Sequence, residues 1–163
     1  MSRVVVVYYS YANGNTEKIA MKVAESLQAD ICGIDPVEAY SENYETTVKV
    51  GKEEVDNNIT REIQPLKYDV NDYDVIVVGT PTWWYTMAPV VRTFLKNNDF
   101  TNKTVIPFMT HAGWPGTVIK DMSSLCTGAK IKYPKEIQFD SEGGSQCVTT
   151  CKEINDWIKS IEV

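Results

Sequence analysis

The chain has 163 residues, 43% hydrophobic and 23% charged, a make-up that excludes disordered, coiled-coil and collagen-like classes and fits one domain over 1–163 with a real core. Its 22 acidic against 16 basic residues, net charge -6, argue against nucleic acid or an anionic membrane as partner, because no basic patch gains from releasing counterions. Small molecules or basic protein faces fit that balance better.

Arg3 to Tyr9 is β-branched and apolar without alternation, the pattern of a strand covered on both faces in a parallel sheet. This run is too short for a secretory core and no stretch approaches membrane-spanning length, so a cytoplasmic protein is expected. Ser10 to Thr16 follows as a row of small polar residues, where Asn15 or Thr16 is expected to cap a helix with the stripe Ile19, Ala20, Val23, Ala24 and Leu27. A short strand is read at Ala29 to Ile34. Pro36 to Tyr68 is a long polar stretch read as a decorated crossover rather than part of a lid, in which Tyr44, Val48 and Val55 mark an amphipathic helix, while Glu53, Glu54 and Arg61 read as a solvated helical face. Asp74 to Gly79 repeats the buried-strand signature, Pro89 opens a helix with Val90, Val91, Phe94 and Leu95, and Thr104 to Met109 is a further strand. A last strand lies around Glu136 to Phe139, and a last helix runs from about Gln146 through Trp157, Ile158 and Ile161. Alternating β and α elements imply a parallel sheet with right-handed crossovers and helices on both faces. Cys32, Cys126, Cys147 and Cys151 are expected to stay thiols; the last two, four apart in the expected helix, share a face, but no histidine lies near to complete a metal site.

In an open α/β sheet, ligands collect at the carboxyl ends of the strands. The loop after the first strand, Ser10-Tyr11-Ala12-Asn13-Gly14-Asn15-Thr16, lets backbone N–H groups converge on an anion at a helix N-terminus. Neither the glycine-lysine loop of nucleoside-triphosphate sites nor the G-x-G-x-x-G dinucleotide turn is present, which leaves a monophosphate held by hydroxyls and amides. The loops Thr80-Pro81-Thr82-Trp83-Trp84-Tyr85 and Thr110-His111-Ala112-Gly113-Trp114 place aromatic surface among small residues, which suits a flat heteroaromatic ring. His111, the only histidine, is read either as a proton donor or as a structural group.

S-x-x-x-G-N-T after the first strand, T-P-T-W-W after the third and T-H-x-G after the fourth, in order and across nearly the whole chain, resemble flavodoxin-like FMN-binding proteins. The resemblance implies an α/β, doubly wound, five-stranded parallel sheet ordered 2-1-3-4-5 and one noncovalent FMN. It places Ser10, Ala12, Asn13, Gly14, Asn15 and Thr16 around the phosphate, and Thr80 to Tyr85 and Thr110 to Trp114 around the ribityl chain and ring. Pro36, Tyr40 and Tyr44 also look like a subgroup of that family. The chain departs from the pattern in the bulk of Ala112 and Trp114-Pro115, and in Tyr85, where many relatives carry glycine.

The flavin performs the redox chemistry, so no catalytic side chain and no metal are expected. The implied function is an oxidoreductase passing electrons from a reduced nicotinamide or a protein donor to a quinone or other small acceptor. The alternatives are a one-electron carrier between redox proteins and a flavin-binding sensor. A missing cationic partner for the phosphate is expected to keep the flavin at low potential. A non-glycine residue at Tyr85 costs roughly 1 to 2 kcal/mol in left-handed geometry, which is expected to disfavour one-electron reduction where the Trp84-Tyr85 peptide must turn over.

Overall fold

The computed structural model describes residues 2–11, 13–141 and 144–163. Three strands build the centre of the sheet: β1 (Val4–Tyr8), β3 (Val75–Trp83) and β5 (Thr104–His111), all parallel, with Val4 opposite Val75 and Val75 opposite Thr104. Because successive side chains point to opposite faces, the valine runs feed two cores. Val5, Val7, Ile76 and Val78 pack on one side with α3 (Pro89–Asn97) and α4 (Val118–Ser124). Val4, Val6, Val75 and Val77 pack on the other with α1 (Asn15–Leu27) and α5 (Cys151–Ser160). Unalternating apolar strands therefore follow from helices on both faces.

β2 (Asp30–Gly33) flanks β1, so the order begins 2-1-3 as expected. Beyond β5 the last place in the sheet is shared by two pieces, Lys130–Ile131 (β6) and Lys135–Gln138 (β7), both parallel to β5. Tyr133 between them has φ 51° and accepts a 2.8 Å hydrogen bond from the Trp157 indole. A two-residue strand β4 (Thr86–Met87) folds back antiparallel on the end of β3. With these additions the expected 2-1-3-4-5 arrangement stands.

Three sequence expectations are corrected. Neither Asn15 nor Thr16 caps α1: Gly14 holds that position at φ 70°, and the Ser10 hydroxyl, one turn upstream, accepts from the Glu17 amide at 3.2 Å. The last helix begins at Cys151, not near Gln146, because Thr150 caps it by accepting from the Glu153 amide while Cys147 bridges to Phe139. Cys147 and Cys151 thus do not share a helical face. Helix α4 was not foreseen, since its seven residues carry too short a stripe to read.

The crossover forms its helix, α2 (Tyr44–Asp56), capped by Asn43. It is not merely solvated. Glu53 is exposed, but Glu54 is 8% exposed and ion-pairs with Arg61 while accepting from the Tyr40 hydroxyl at 2.7 Å. Arg61 also donates to the Glu38 carbonyl at 2.7 Å, and its guanidinium lies 3.7 Å from the Tyr40 ring centroid. Burial, then the bond to Glu54, push the Tyr40 phenol above its ordinary range, so it stays a donor. Among the described residues, no helix is long and apolar enough to cross a membrane.

Candidate functional site

The carboxyl ends of β1, β3 and β5 carry the three loops read from the sequence. In the first, the amino end of α1 presents its opening backbone amides, of which that of Glu17 is taken by the Ser10 hydroxyl. The Ser10 oxygen is used as an acceptor, and its own proton has no acceptor among the described residues. Thr16 is 1% exposed and Thr110 5%; their hydroxyls are 2.9 Å apart and join the first loop to the third. That single bond uses one of two protons, and the other has no acceptor among the described residues. Asn15 donates to the Gly144 carbonyl at 3.0 Å, and its own buried Oδ1 has no partner among the described residues. Space lies open where a Gly14 side chain would project. Asn13 is exposed, and Ala12 lies outside the described residues.

The second loop divides its tryptophans. Trp83 packs inward, edge-on to Tyr9, Tyr11 and Tyr40, with ring centroids 4.8 Å apart for Tyr40. Trp84 turns outward, 39% exposed, and donates its indole N–H to the Val48 carbonyl of α2 at 2.9 Å. Gly51, in the interior of α2, lets the helix come close: a Cβ there would stand 3.1 Å from the Trp83 ring. A helix-interior glycine costs about 1 kcal/mol relative to alanine, which this packing offsets. Trp84 and Tyr85 form the two-residue turn between β3 and β4, with φ 50° and 69°. Positive φ at both positions is what a tight right-twisted hairpin demands. The expectation about Tyr85 is corrected accordingly: the cost of left-handed geometry is already carried by the resting fold and does not by itself separate one-electron from two-electron chemistry.

Buried threonines set the loop spacing. Thr80, fully buried, accepts from the Ala88 amide at 3.1 Å and so starts α3, while Thr82 donates to the Thr110 carbonyl at 3.0 Å. In the third loop His111 Nδ1 accepts from the Gly113 amide at 3.0 Å, which leaves its proton on Nε2. Of the two readings of His111, this bond gives it a structural part. Burial holds the imidazole below its ordinary value of 6.5, with Glu136 opposing. The neutral ring is the one that can accept, so its stabilisation is present above about pH 6.5 and is lost as pH falls through the lower folded value. Thermal unfolding measured from pH 7.5 downwards is expected to show a loss that His111→Leu lacks; parallel curves for the two proteins would refute this.

A cleft of about 360 Å³ opens between these loops and α2. Of the residues expected at the site, Thr82, Trp83, Trp84, Tyr85, Ala112 and Trp114 line it. Thr80, Pro81, Thr110, His111 and Gly113 are not among its lining residues, nor are Ser10, Asn13, Gly14, Asn15 and Thr16, which lie at or just before the amino end of α1. Sequence reasoning missed Tyr11 and the α2 face Tyr44, Thr47, Val48 and Gly51. Their i, i+3, i+4, i+7 spacing was the available signal. Tyr11 binds this helix to the first loop, donating to the Ser41 carbonyl at 2.8 Å and lying 3.1 Å from Thr47 Oγ1. The three loops hold no lysine or arginine. Lys52 of α2 lies 5.4 Å from the Trp84 ring centroid and is ion-paired with Asp56.

The arrangement accommodates a planar ring between aromatic walls and an anion at the start of α1. A family model described as flavodoxin matches residues 3–161. The chain is similar to a flavoprotein of Lactobacillus acidophilus NCFM solved in complex with FMN, at 25% identity and TM-score 0.71, covering 87% of this chain and 96% of that one. A candidate flavoprotein of Bacteroides uniformis ATCC 8492 matches at 23% identity and TM-score 0.77, over 98% of this chain and 99% of that one. A flavodoxin from the domain Archaea matches at 15% identity and TM-score 0.55, over 96% and 92%. These last two likenesses bear on the fold alone.

Proposed function

Because the chain belongs to the flavodoxin family, we propose that it is an FMN-dependent oxidoreductase that passes electrons from a reduced nicotinamide to a small planar acceptor of the quinone class. FMN is the family's cofactor, and when bound it supplies the electron and hydride chemistry. The residues present fit it. Ser10, Asn13, Gly14, Asn15 and Thr16 hold the phosphate, the orphaned Asn15 Oδ1 takes a hydroxyl donor such as the ribityl chain carries, and Trp84 and Trp114 border the ring. The protein's part is to bind, orient and exclude water.

The observation that carries the reading is the placement of α2. A helix from the crossover stands over the second loop, tied there by Trp84, Gly51 and Tyr11, and turns the ring site into a cleft walled on more than one side. A cleft of this kind admits a flat small molecule more readily than it admits a protein partner. The thiols of the buried Cys32 and Cys126 suit the cytoplasm, where we place the protein. Steady oxidation of NADH or NADPH by the FMN-loaded protein, stimulated by an added quinone, is the expected result. Reduction that proceeds only with a protein redox partner would instead establish a one-electron carrier, for which the exposed rim of Tyr85 and Trp114, 57% and 58% exposed, offers a contact surface.

A spectroscopic result is expected as well. Titrating apo-protein with FMN should quench tryptophan fluorescence, and replacing Trp84 and Trp114 together by leucine should diminish that quenching, leaving the part due to Trp83, which lines the same cleft. Trp157, on α5, packs in the core on the opposite side of the sheet from α3. Undiminished quenching in the double variant would reject the assignment of these two rings.

A further inference from the structure

The Trp84-Tyr85 turn is gripped from the side of the third loop by a contact that no side chain would permit. Both residues sit at positive φ, a region that L-residues avoid unless their surroundings hold them there. On the α2 side the grip is the indole bond to Val48. On the other side the Tyr85 carbonyl accepts from the Thr117 amide at 2.8 Å, and Thr86 and Thr117 both donate their hydroxyls to one oxygen of Asp121 at 2.7 Å. Gly116 lies against this backbone: a Cβ there would overlap the Tyr85 carbonyl oxygen and approach within 2.5 Å of Tyr85 Cα and 2.6 Å of its carbonyl carbon. Gly116 itself has φ 57° and is exposed, so its role is not to fill a core.

We propose that Gly116 is a positioning residue for the cofactor: by docking backbone to backbone on Tyr85, it holds the turn in its left-handed form and so fixes the wall against which the flavin ring binds. This deepens the FMN reading of the cleft and rests on it. The turn and the third loop then act as one body, and a change at 116 reaches the ring through Tyr85. A looser turn gives a ring wall that must be ordered when FMN arrives, which weakens binding, and it alters the polar surroundings that set the flavin's potential.

The test compares Gly116→Ala with Gly128→Ala. Gly128 also has a positive φ, of 82°, but a Cβ there meets the side chain of Thr101, away from the cleft, so it carries a like backbone strain without touching the turn. Gly116→Ala is expected to raise the FMN Kd about tenfold, equivalent to about 1.4 kcal/mol, and to shift the midpoint potential. Gly128→Ala should leave both unchanged. Tyr85→Gly in the Gly116→Ala background should restore at least half of the lost affinity on a logarithmic scale, since glycine adopts the shifted turn without strain. In apo-protein, hydrogen exchange at the Thr117 amide should accelerate in Gly116→Ala alone, a readout that needs no flavin. Equal effects of the two alanine variants, or wild-type affinity and amide protection in Gly116→Ala, would overturn the proposal. A wild-type chain that does not bind FMN would overturn the cofactor reading, and with it the cofactor half of this one, while Thr117 exchange still decides whether Gly116 holds the turn.

Discussion

Apo-protein titrated with riboflavin is expected to bind it at least about a hundredfold more weakly than FMN. The two ligands differ only in the phosphate, and the loop from Ser10 to Thr16 is where this chain offers donors for one. The Ser10 oxygen accepts from the Glu17 amide, and its proton has no acceptor among the described residues. The Thr16 and Thr110 pair shares one bond, and its second proton has no acceptor among the described residues. Hydrogen bonds to a charged group contribute about 1.5 to 3 kcal/mol each, so two of them, with the helix N-terminus behind, account for the hundredfold. Ser10→Ala should weaken FMN by about tenfold and riboflavin hardly at all. Equal affinities for the two ligands would show that the phosphate does not sit in this loop.

Arg61→Ala is expected to lower the unfolding free energy by about 3 to 5 kcal/mol, the usual effect of leaving a buried carboxylate without its partner. The side chains of Arg61 and Glu54 are 16% and 10% exposed, which sets this pair apart from the solvent-washed pairs on the helix surfaces. Arg61 also ties the two ends of the crossover, reaching the Glu38 carbonyl before α2 from a position after it. Arg61→Lys should recover only part of the loss, because an ammonium cannot fork between a carboxylate and a carbonyl as guanidinium does. Urea unfolding measures both. A change below about 1 kcal/mol for Arg61→Ala would place the pair with ordinary surface bridges.

The sheet was readable because its evidence is local and repeated: Val4 to Val7 and Val75 to Val78 are each apolar on both faces, and only a doubly covered parallel strand needs that. Thr150, three residues before Glu153, was an equally local signal for the start of the last helix. The site divided along the same line. Loop residues on single segments were legible, whereas Tyr44 and Gly51 enter the cleft only because a 13-residue helix folds back across the second loop. Arg61 and Glu54 illustrate the limit most clearly, since two charged residues seven apart read as solvated until the chain between them turns and buries both. Nothing in the spacing of Trp84 and Tyr85 announces their positive φ, which is imposed by the hairpin.

The split at the last place of the sheet bears on how copies of this chain meet one another. An exposed edge strand offers a row of unpaired N–H and C=O groups, and a long flat one recruits other chains. Here one edge is four residues long, and the other is two pieces of two and four residues broken at Tyr133. Lys130, Lys132 and Lys135 lie along that broken edge and add charge repulsion between copies. Neither border can therefore template a continuous intermolecular ladder, so association through extended strands is discouraged even though the three central strands are among the most β-prone segments of the chain.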